Sequence, residues 1–293
     1  MEVLGDAAHA NLRVGIGDDA AVLADGSVLT VDTHVEDVHF QRAWLSFEAL
    51  GYKSFMAAAS DVAAMGARPT FALSSLILPN DVTDDDVVAI GRGQARAAKE
   101  IGAAVIGGNL SKGPLSITTT VLGKVDHAIL RSGAKQGDLL LLGGSVGLAA
   151  AGLYVLMRKI ADADDLVTAW REPRARVDLG LALSNANAHA CMDISDGLAI
   201  DLHRLCESSG IGAEVDEEAV LASTPSLGEV AARLSLDPLD LALFGGEDYA
   251  LLATAKEPVA GFATIGRITT DRAVVLARGG TREPLQRRGF QHF

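Results

Sequence analysis

Residues 190–202 read ACMDISDGLAIDL. An apolar approach, Ala190 to Met192, runs into two aspartates three apart, Asp193 and Asp196, with Ser195 between them, and Gly197 then opens a helical pattern. Such a stretch is a strand that becomes a helix through an acidic turn, the unit from which α/β folds are assembled. Asp and Ser are ordinary N-cap residues and Gly is ordinary turn punctuation, so in isolation the segment reads equally well as a structural cap. Repetition shifts the balance. Acidic or polar residues among glycines beside apolar runs recur in GIGDDAAVL (15–23), VIGGNLSKGPL (105–115), LLLLGGSVG (139–147) and LFGGEDYALL (243–252).

Composition limits what those acids are for. The chain has 293 residues, 49% hydrophobic and 22% charged, which is globular and long enough to bury about 75% of its unfolded surface. Its formal charge of -13, from 38 acidic against 25 basic residues with no clustered basic stripe, excludes nucleic acid and anionic membrane as expected partners. Cys191 and Cys206 are the only cysteines; without CxxC spacing they read as buried, reduced thiols of a cytoplasmic protein. MEVLGDAAHANLR shows no basic region followed by an apolar core, so no secretory signal is expected. Leu139 to Met157 carries no charge and approaches the length of a membrane span, but Gly143, Gly144 and Gly147 interrupt it. Strand, glycine turn and buried helix fit it better.

Working outward, strands and helices alternate about two centres. Val28 to Val31 is expected as a strand, Ser46 to Met65 as a capped helix, and Phe71 to Leu78 as a strand. Thr83 and Asp86 stand in capping-box position before a helix that Gly102 stops, and AAVIGG and LSITTTVLGKV follow as strands. The pattern restarts with GDLLLLGG, then helices at Leu148 to Ile160 and Arg174 to Asn187, the strand at Ala190 to Met192, a helix from Leu198 to Ser208, and short strands from Tyr249 on. The expectation is an α/β (α+β) chain of two domains, 1–127 and 128–293, sharing a wide interface.

Individual acids have bland readings. Surface Gly-Asp-Asp turns such as the one holding Asp18 and Asp19 are common, Asp32 ends an apolar strand, and a lone His39 is most often structural. Asp61 is harder to dismiss. It sits mid-helix on the face of Ala57, Ala58, Ala64 and Met65, where an unpaired charge costs several kcal/mol, roughly, without a cation or strong donors. If Asp18, Asp19, Asp32, Asp61, Asp193 and Asp196 converge, each pair about 4 Å apart repels by roughly 4 kcal/mol at an effective dielectric of 20. Hard divalent cations offset that, and Mg²⁺ takes carboxylate oxygens together with substrate phosphates.

In order over nearly the whole chain, GIGDDAAV, TVDTHVEDVHF, SDVAAMGARP, the GGN turn, DISDGL and FGGEDY resemble the thiamine-monophosphate kinase family of the aminoimidazole-ribonucleotide-synthetase-like superfamily, and the closing GFQHF is similar to that family's C-terminal aromatic motif. The resemblance implies a two-domain fold whose N-terminal sheets pair in a homodimer, each with a C-terminal α/β domain. It also implies Mg²⁺-dependent transfer of the ATP γ-phosphate to thiamine monophosphate, yielding thiamine diphosphate. Position by position it makes Asp18, Asp19, Thr30, Val31 through its backbone, Asp32, Asp61, Asn109, Asp193 and Asp196 metal ligands, with Asp32, Asp61 and Asp196 catalytic. Gly108, Asn109, Arg131 and Ser195 would touch ATP, and His39, Glu247 and Phe290 would hold thiamine monophosphate. Two positions depart from the family: Asn109 where it usually has Asp, and Ala250 where Glu is commoner.

GxxxxGK[ST] and HRD/DFG patterns are absent, against P-loop and protein-kinase chemistry. The alternatives are another superfamily enzyme such as aminoimidazole-ribonucleotide synthetase, a degenerate nucleotide-binding protein suggested by Asn109, and a structural protein with an acidic surface. A selenophosphate synthetase usually needs a reactive N-terminal Cys or selenocysteine, and no cysteine precedes Cys191.

Overall fold

Residues 9–290 are described by a computed structural model. Two mixed sheets organise them. The first is built from β1 (Leu12–Val14), β2 (Ala21–Leu23), β3 (Ser27–Val35), β4 (Arg68–Leu78), β5 (Ala104–Lys112) and β6 (Ser116–Lys124), in the order β1-β2-β3-β6-β4-β5. Helices α1 (Phe47–Ala64) and α2 (Asp84–Glu100) belong to this half. The second is β7 (Leu139–Gly143), β8 (Ala190–Ile194), β9 (Gly212–Asp216), β10 (Ala250–Ala255), β11 (Ala263–Thr269), β12 (Val274–Arg278) and β13 (Thr281–Pro284), in the order β13-β12-β9-β11-β7-β10-β8. With it go α3 (Leu148–Arg158), α4 (Thr168–Arg171), α5 (Val177–Asn185), α6 (Leu198–Ser209), α7 (Glu217–Ser223), α8 (Leu227–Leu234) and α9 (Pro238–Phe244).

Local chemistry sets several of these boundaries. The Ser46 side chain accepts from the Ala49 N–H and starts α1, while Thr83 and Asp86 exchange a full capping box at α2. Small residues let α1 lie close to its neighbours on several sides. A Cβ on Gly51 would stand 2.1 Å from the Ile90 oxygen of α2, and one on Gly180 of α5 would stand 2.1 Å from the Ala63 oxygen. Helix α1 is thereby held between its own half and α5 of the other, so a side chain on it can face both. Leu139 to Met157 divides into β7 and α3 about Gly144 (φ +109), and no helix among the described residues is long and apolar enough to cross a membrane.

One expectation is corrected. The Gly-Gly-Asn segment is no turn: Gly107, Gly108 and Asn109 lie inside β5, an edge strand exposed along all nine residues. Gly108 is demanded by close approach, since a Cβ there would meet the Ser74 oxygen at 1.7 Å. Strand β6, the LSITTTVLG segment, is interior, between β3 and β4, and the edges of this sheet are β1 and β5. The second half also holds β9 and the short helices α7 to α9, whose patterns of 7 or 8 residues carry too little periodicity to read from sequence.

Candidate functional site

Alternation along β3 turns Thr30, Asp32 and His34 to the α1 side and Val31 outward, where it is 62% exposed. The Thr30 hydroxyl donates to Asp61 Oδ2 at 2.5 Å, fixing the mid-helix carboxylate against the strand. Gly17 (φ +119) makes the tight turn that delivers Asp18 and Asp19. Asp18 accepts the Arg131 backbone N–H, and the buried Asp19 side chain takes the Arg131 guanidinium at 2.6 Å. Strand β8 then brings Asp193, 3% exposed, up from the second half.

These elements converge on one point. Ligand oxygens of Asp19, Asp61 and Asp193 lie within 4.8 Å of one another. Burial first, then repulsion from Asp61 and Asp19, pushes Asp193 well above the ordinary carboxylate range. Burial, then repulsion from Asp19, does the same to Asp61. Asp19 rises to about 6 by burial, against the pull of Arg131. Its Oδ2 has no hydrogen-bond partner among the described residues. Several carboxylates face one guanidinium, so the centre is short of positive charge, and its all-oxygen donors fit a hard divalent cation.

The other expected site residues fall around this triad. Asp32 accepts its own neighbour's Thr33 N–H and stands 3.7 Å from His34 Nδ1; its charge is felt at Asp61. Asp196 does not join the triad: its Oδ2 takes Arg204 at 2.5 Å, and the buried Asp201 braces the turn by accepting the Asp196 and Gly197 N–H groups. Val31 offers the site only its main chain. The Ser195 oxygen receives the Glu247 N–H at 2.7 Å, and the Phe290 N–H is donated to the Asp196 oxygen, so the acidic turn and the Glu247 and Phe290 segments are tied together. His39 accepts the Val35 N–H on Nδ1, its ring 5.6 Å from that of His34. Phe290 is 46% exposed, and the rest of the GFQHF motif, residues 291–293, lies outside the described residues.

Gly108 and Asn109 are placed elsewhere. Register runs Asp32, Thr119, Ser74, Gly108 across the first sheet, three strand spacings of about 4.8 Å, or about 14 Å in all. Ser74 is bonded to Gln94 of α2, so Asn109, one residue on from Gly108, belongs to the opposite face. Within one chain neither reaches the triad.

Sequence reading missed Lys53 and Trp170. The Glu247 carboxylate, on a left-handed backbone (φ 63), is held between Lys53 Nζ at 3.1 Å and the Trp170 indole N–H. A lone lysine in the apolar run LGYKSFMAAAS was the available signal; Trp170 gave none.

Residues 17–125 match the AIR synthase related protein N-terminal domain, and residues 135–276 match its C-terminal domain. The thiamine-monophosphate kinase of Mycobacterium tuberculosis (strain ATCC 25618 / H37Rv) is 35% identical over 284 residues, covering 94% of this chain and 85% of the relative. That of Bacillus subtilis (strain 168) is 32% identical, covering 97% and 95%. Among solved structures, AaThiL complexed with AMPPCP and TMP superposes with a TM-score of 0.87 at 32% identity, covering 95% of this chain and 92% of that one. Hydrogenase maturation protein HypE in complex with ATP, at 20% identity, TM-score 0.72 and coverage of 99% and 90%, shares the fold.

Proposed function

We propose, from the premise that the chain belongs to the thiamine-monophosphate kinase family, that it transfers the γ-phosphoryl group of ATP to thiamine monophosphate, giving thiamine diphosphate and ADP. The observation that carries this beyond membership is the largely buried triad Asp19, Asp61 and Asp193, an oxygen centre short of positive charge at the seam of the two halves. A ThiL structure in complex with an ATP analogue and TMP superposes on this chain over most of its length, which supports both substrates.

The triad would hold Mg²⁺, with Asp18, Thr30, the Val31 main chain, Asp32 and Asp196 as further ligands to several ions. Bound there, such ions would supply positive charge to offset that of the phosphates being transferred. Arg131 brings a guanidinium whose buried Nε has no hydrogen-bond partner among the described residues, suited to a phosphate of ATP, and Ser195 of the acidic turn would touch ATP as well. His39, Glu247 and Phe290 take the thiamine end. No side chain is placed as a phosphorylated intermediate, so transfer is direct and in line, driven by positioning and charge neutralisation, with Asp32, Asp61 and Asp196 setting the geometry. The accepting phosphate is already an anion and needs no general base.

The protein acts as a homodimer through its first sheet. Val31, Phe71, Leu73, Ile106 and Leu110 leave apolar surface exposed on β3, β4 and the edge strand β5, an arrangement that invites a second copy. Gly108 and Asn109, about 14 Å from Asp32 in their own chain by strand spacing, then serve ATP in the opposite protomer.

The test is purified protein with ATP, Mg²⁺ and thiamine monophosphate, products resolved by chromatography. Thiamine diphosphate forms and free thiamine is not phosphorylated; absence of product across a range of Mg²⁺ concentrations overturns the reading. Light scattering at micromolar concentration gives the mass of a dimer, and a monomer's mass removes the pairing.

A further inference from the structure

Lys53 has no part in phosphoryl transfer as described, yet it is a fully buried lysine aimed at a substrate contact. Its Nζ donates to the Trp170 backbone oxygen at 2.8 Å, pairs with Glu247 Oε1 at 3.1 Å, and lies 4.2 Å from the centroid of the Trp170 ring. The indole N–H of Trp170, itself fully buried, donates to Glu247 Oε2. Each carboxylate oxygen thus receives one donor from the protein. Glu247 is the one of the three that solvent reaches, its side chain 23% exposed. Its backbone sits in the left-handed region, as does Tyr249 (φ 49), a strained loop that persists only where its surroundings hold it.

This bonding decides what Glu247 can offer. Lys53 and Glu247 carry opposite charges and cancel, so the carboxylate is not a spare anion for the thiazolium ring. What remains is the second lone pair on each oxygen, aimed by two buried donors. We propose that Lys53 and Trp170 are positioning residues that fix Glu247 as a hydrogen-bond acceptor for the exocyclic amine of the aminopyrimidine ring, so that the site selects substrates bearing an N–H donor there. The proposal rests on thiamine monophosphate as substrate and on Glu247 as its contact. A site built to bond an N–H rejects the analogue lacking it, because the buried acceptor is left unpaired.

The probe is oxythiamine monophosphate, which carries an oxo group in place of the amine. Wild-type protein prefers thiamine monophosphate to it in kcat/KM by at least about a hundredfold. In Lys53→Met and in Trp170→Phe, KM for thiamine monophosphate rises about tenfold, more than kcat falls, and the preference shrinks by a similar factor, while KM for ATP and the Mg²⁺ midpoint hold. Trp170→Phe keeps the ring and loses only the indole N–H, so it decides the matter if Lys53→Met does not fold. Folded variants that melt earlier but keep wild-type KM and preference overturn the proposal. Calorimetric binding of both compounds separates the two readings: a wild type that binds thiamine monophosphate selectively without turning it over defeats the proposed activity and supports the clamp. A wild type that binds both compounds equally defeats the clamp.

Discussion

Two groups of carboxylates flank the seam between the halves, and they are solved in opposite ways. At the triad, Asp19, Asp61 and Asp193 crowd within 4.8 Å with Arg131 as the partner of Asp19. At the other corner, Glu247 is matched by Lys53 and Trp170. The first region has an excess of negative charge that burial makes costly; the second is balanced inside the protein. A group left unbalanced is suited to a mobile cation, and a balanced one to a neutral donor. The carboxylate group therefore does different work according to what the fold has set opposite it.

The largest effect expected on this contrast is from Asp61→Asn. The substitution keeps the shape and the Thr30 bond but removes a charge from the centre, and turnover should fall at least about a hundredfold with saturating Mg²⁺. The metal-free variant should melt no lower than wild type, because repulsion of roughly 4 kcal/mol per close pair at a dielectric of 20 is relieved. Near-normal turnover would make Asp61 a structural residue.

Glu247→Gln tests the other side, with the opposite sign for stability. Here neutralisation strands the buried Lys53, and removal of one partner from a buried pair costs about 3–5 kcal/mol. Chemical denaturation should show that loss while Mg²⁺ affinity is unmoved. A Glu247→Gln protein as stable as wild type would mean that the two corners are not differently balanced.

A third test uses pH. The folded-state pKa of Asp19 lies at about 6, above its unfolded value near 3.8, so the folded protein binds the extra proton. Stability from this group is present below the unfolded value and declines as pH rises through about 6, by roughly 3 kcal/mol at 1.36 kcal/mol per unit. The metal-free protein should thus lose stability between about pH 4 and 7, and Mg²⁺ at neutral pH should restore it. If Mg²⁺ leaves the neutral-pH melting temperature unchanged, the centre does not bind the ion.

How much of this could be read in the sequence depends on the range of the interaction involved. Local signals were legible: the Thr83 and Asp86 box does start α2, and Ser46 does cap α1. Asp19 and Asp193 stood out in glycine settings and Asp61 by its mid-helix place on a small-residue face, but their meeting is tertiary, from the β1–β2 turn, mid-helix α1 and the end of β8. Gly107 and Gly108 were misread because a glycine that ends a strand and one that lets a neighbouring strand come close look alike in a chain of letters. Lys53 could have been suspected, since a lone ammonium group within the mostly apolar run LGYKSFMAAAS needs a partner. Its indole partner Trp170 lies 117 residues away and could not be.

The smallest effect expected lies at Asn109, which belongs to neither corner within its own chain. A charge added there, about 14 Å from Asp32 and on the far face of the sheet, interacts with its own triad by only ~0.3 kcal/mol at the dielectric of water, less than a twofold change in any midpoint. A larger fall in the Mg²⁺ concentration required by Asn109→Asp must then come from the opposite protomer, where a carboxylate would be an added anionic ligand beside ATP. A fall of a few-fold is expected in the dimer. Mixed dimers assign it: one protomer carries Asn109→Asp together with Asp61→Asn, which silences its own centre, and the other is wild type. Turnover then comes from the wild-type centre alone. If that centre shows the lowered midpoint, position 109 acts across the interface. If the midpoint is that of the natural protein, the edge strand serves its own chain or neither, and the crossed assignment of Gly108 and Asn109 is wrong.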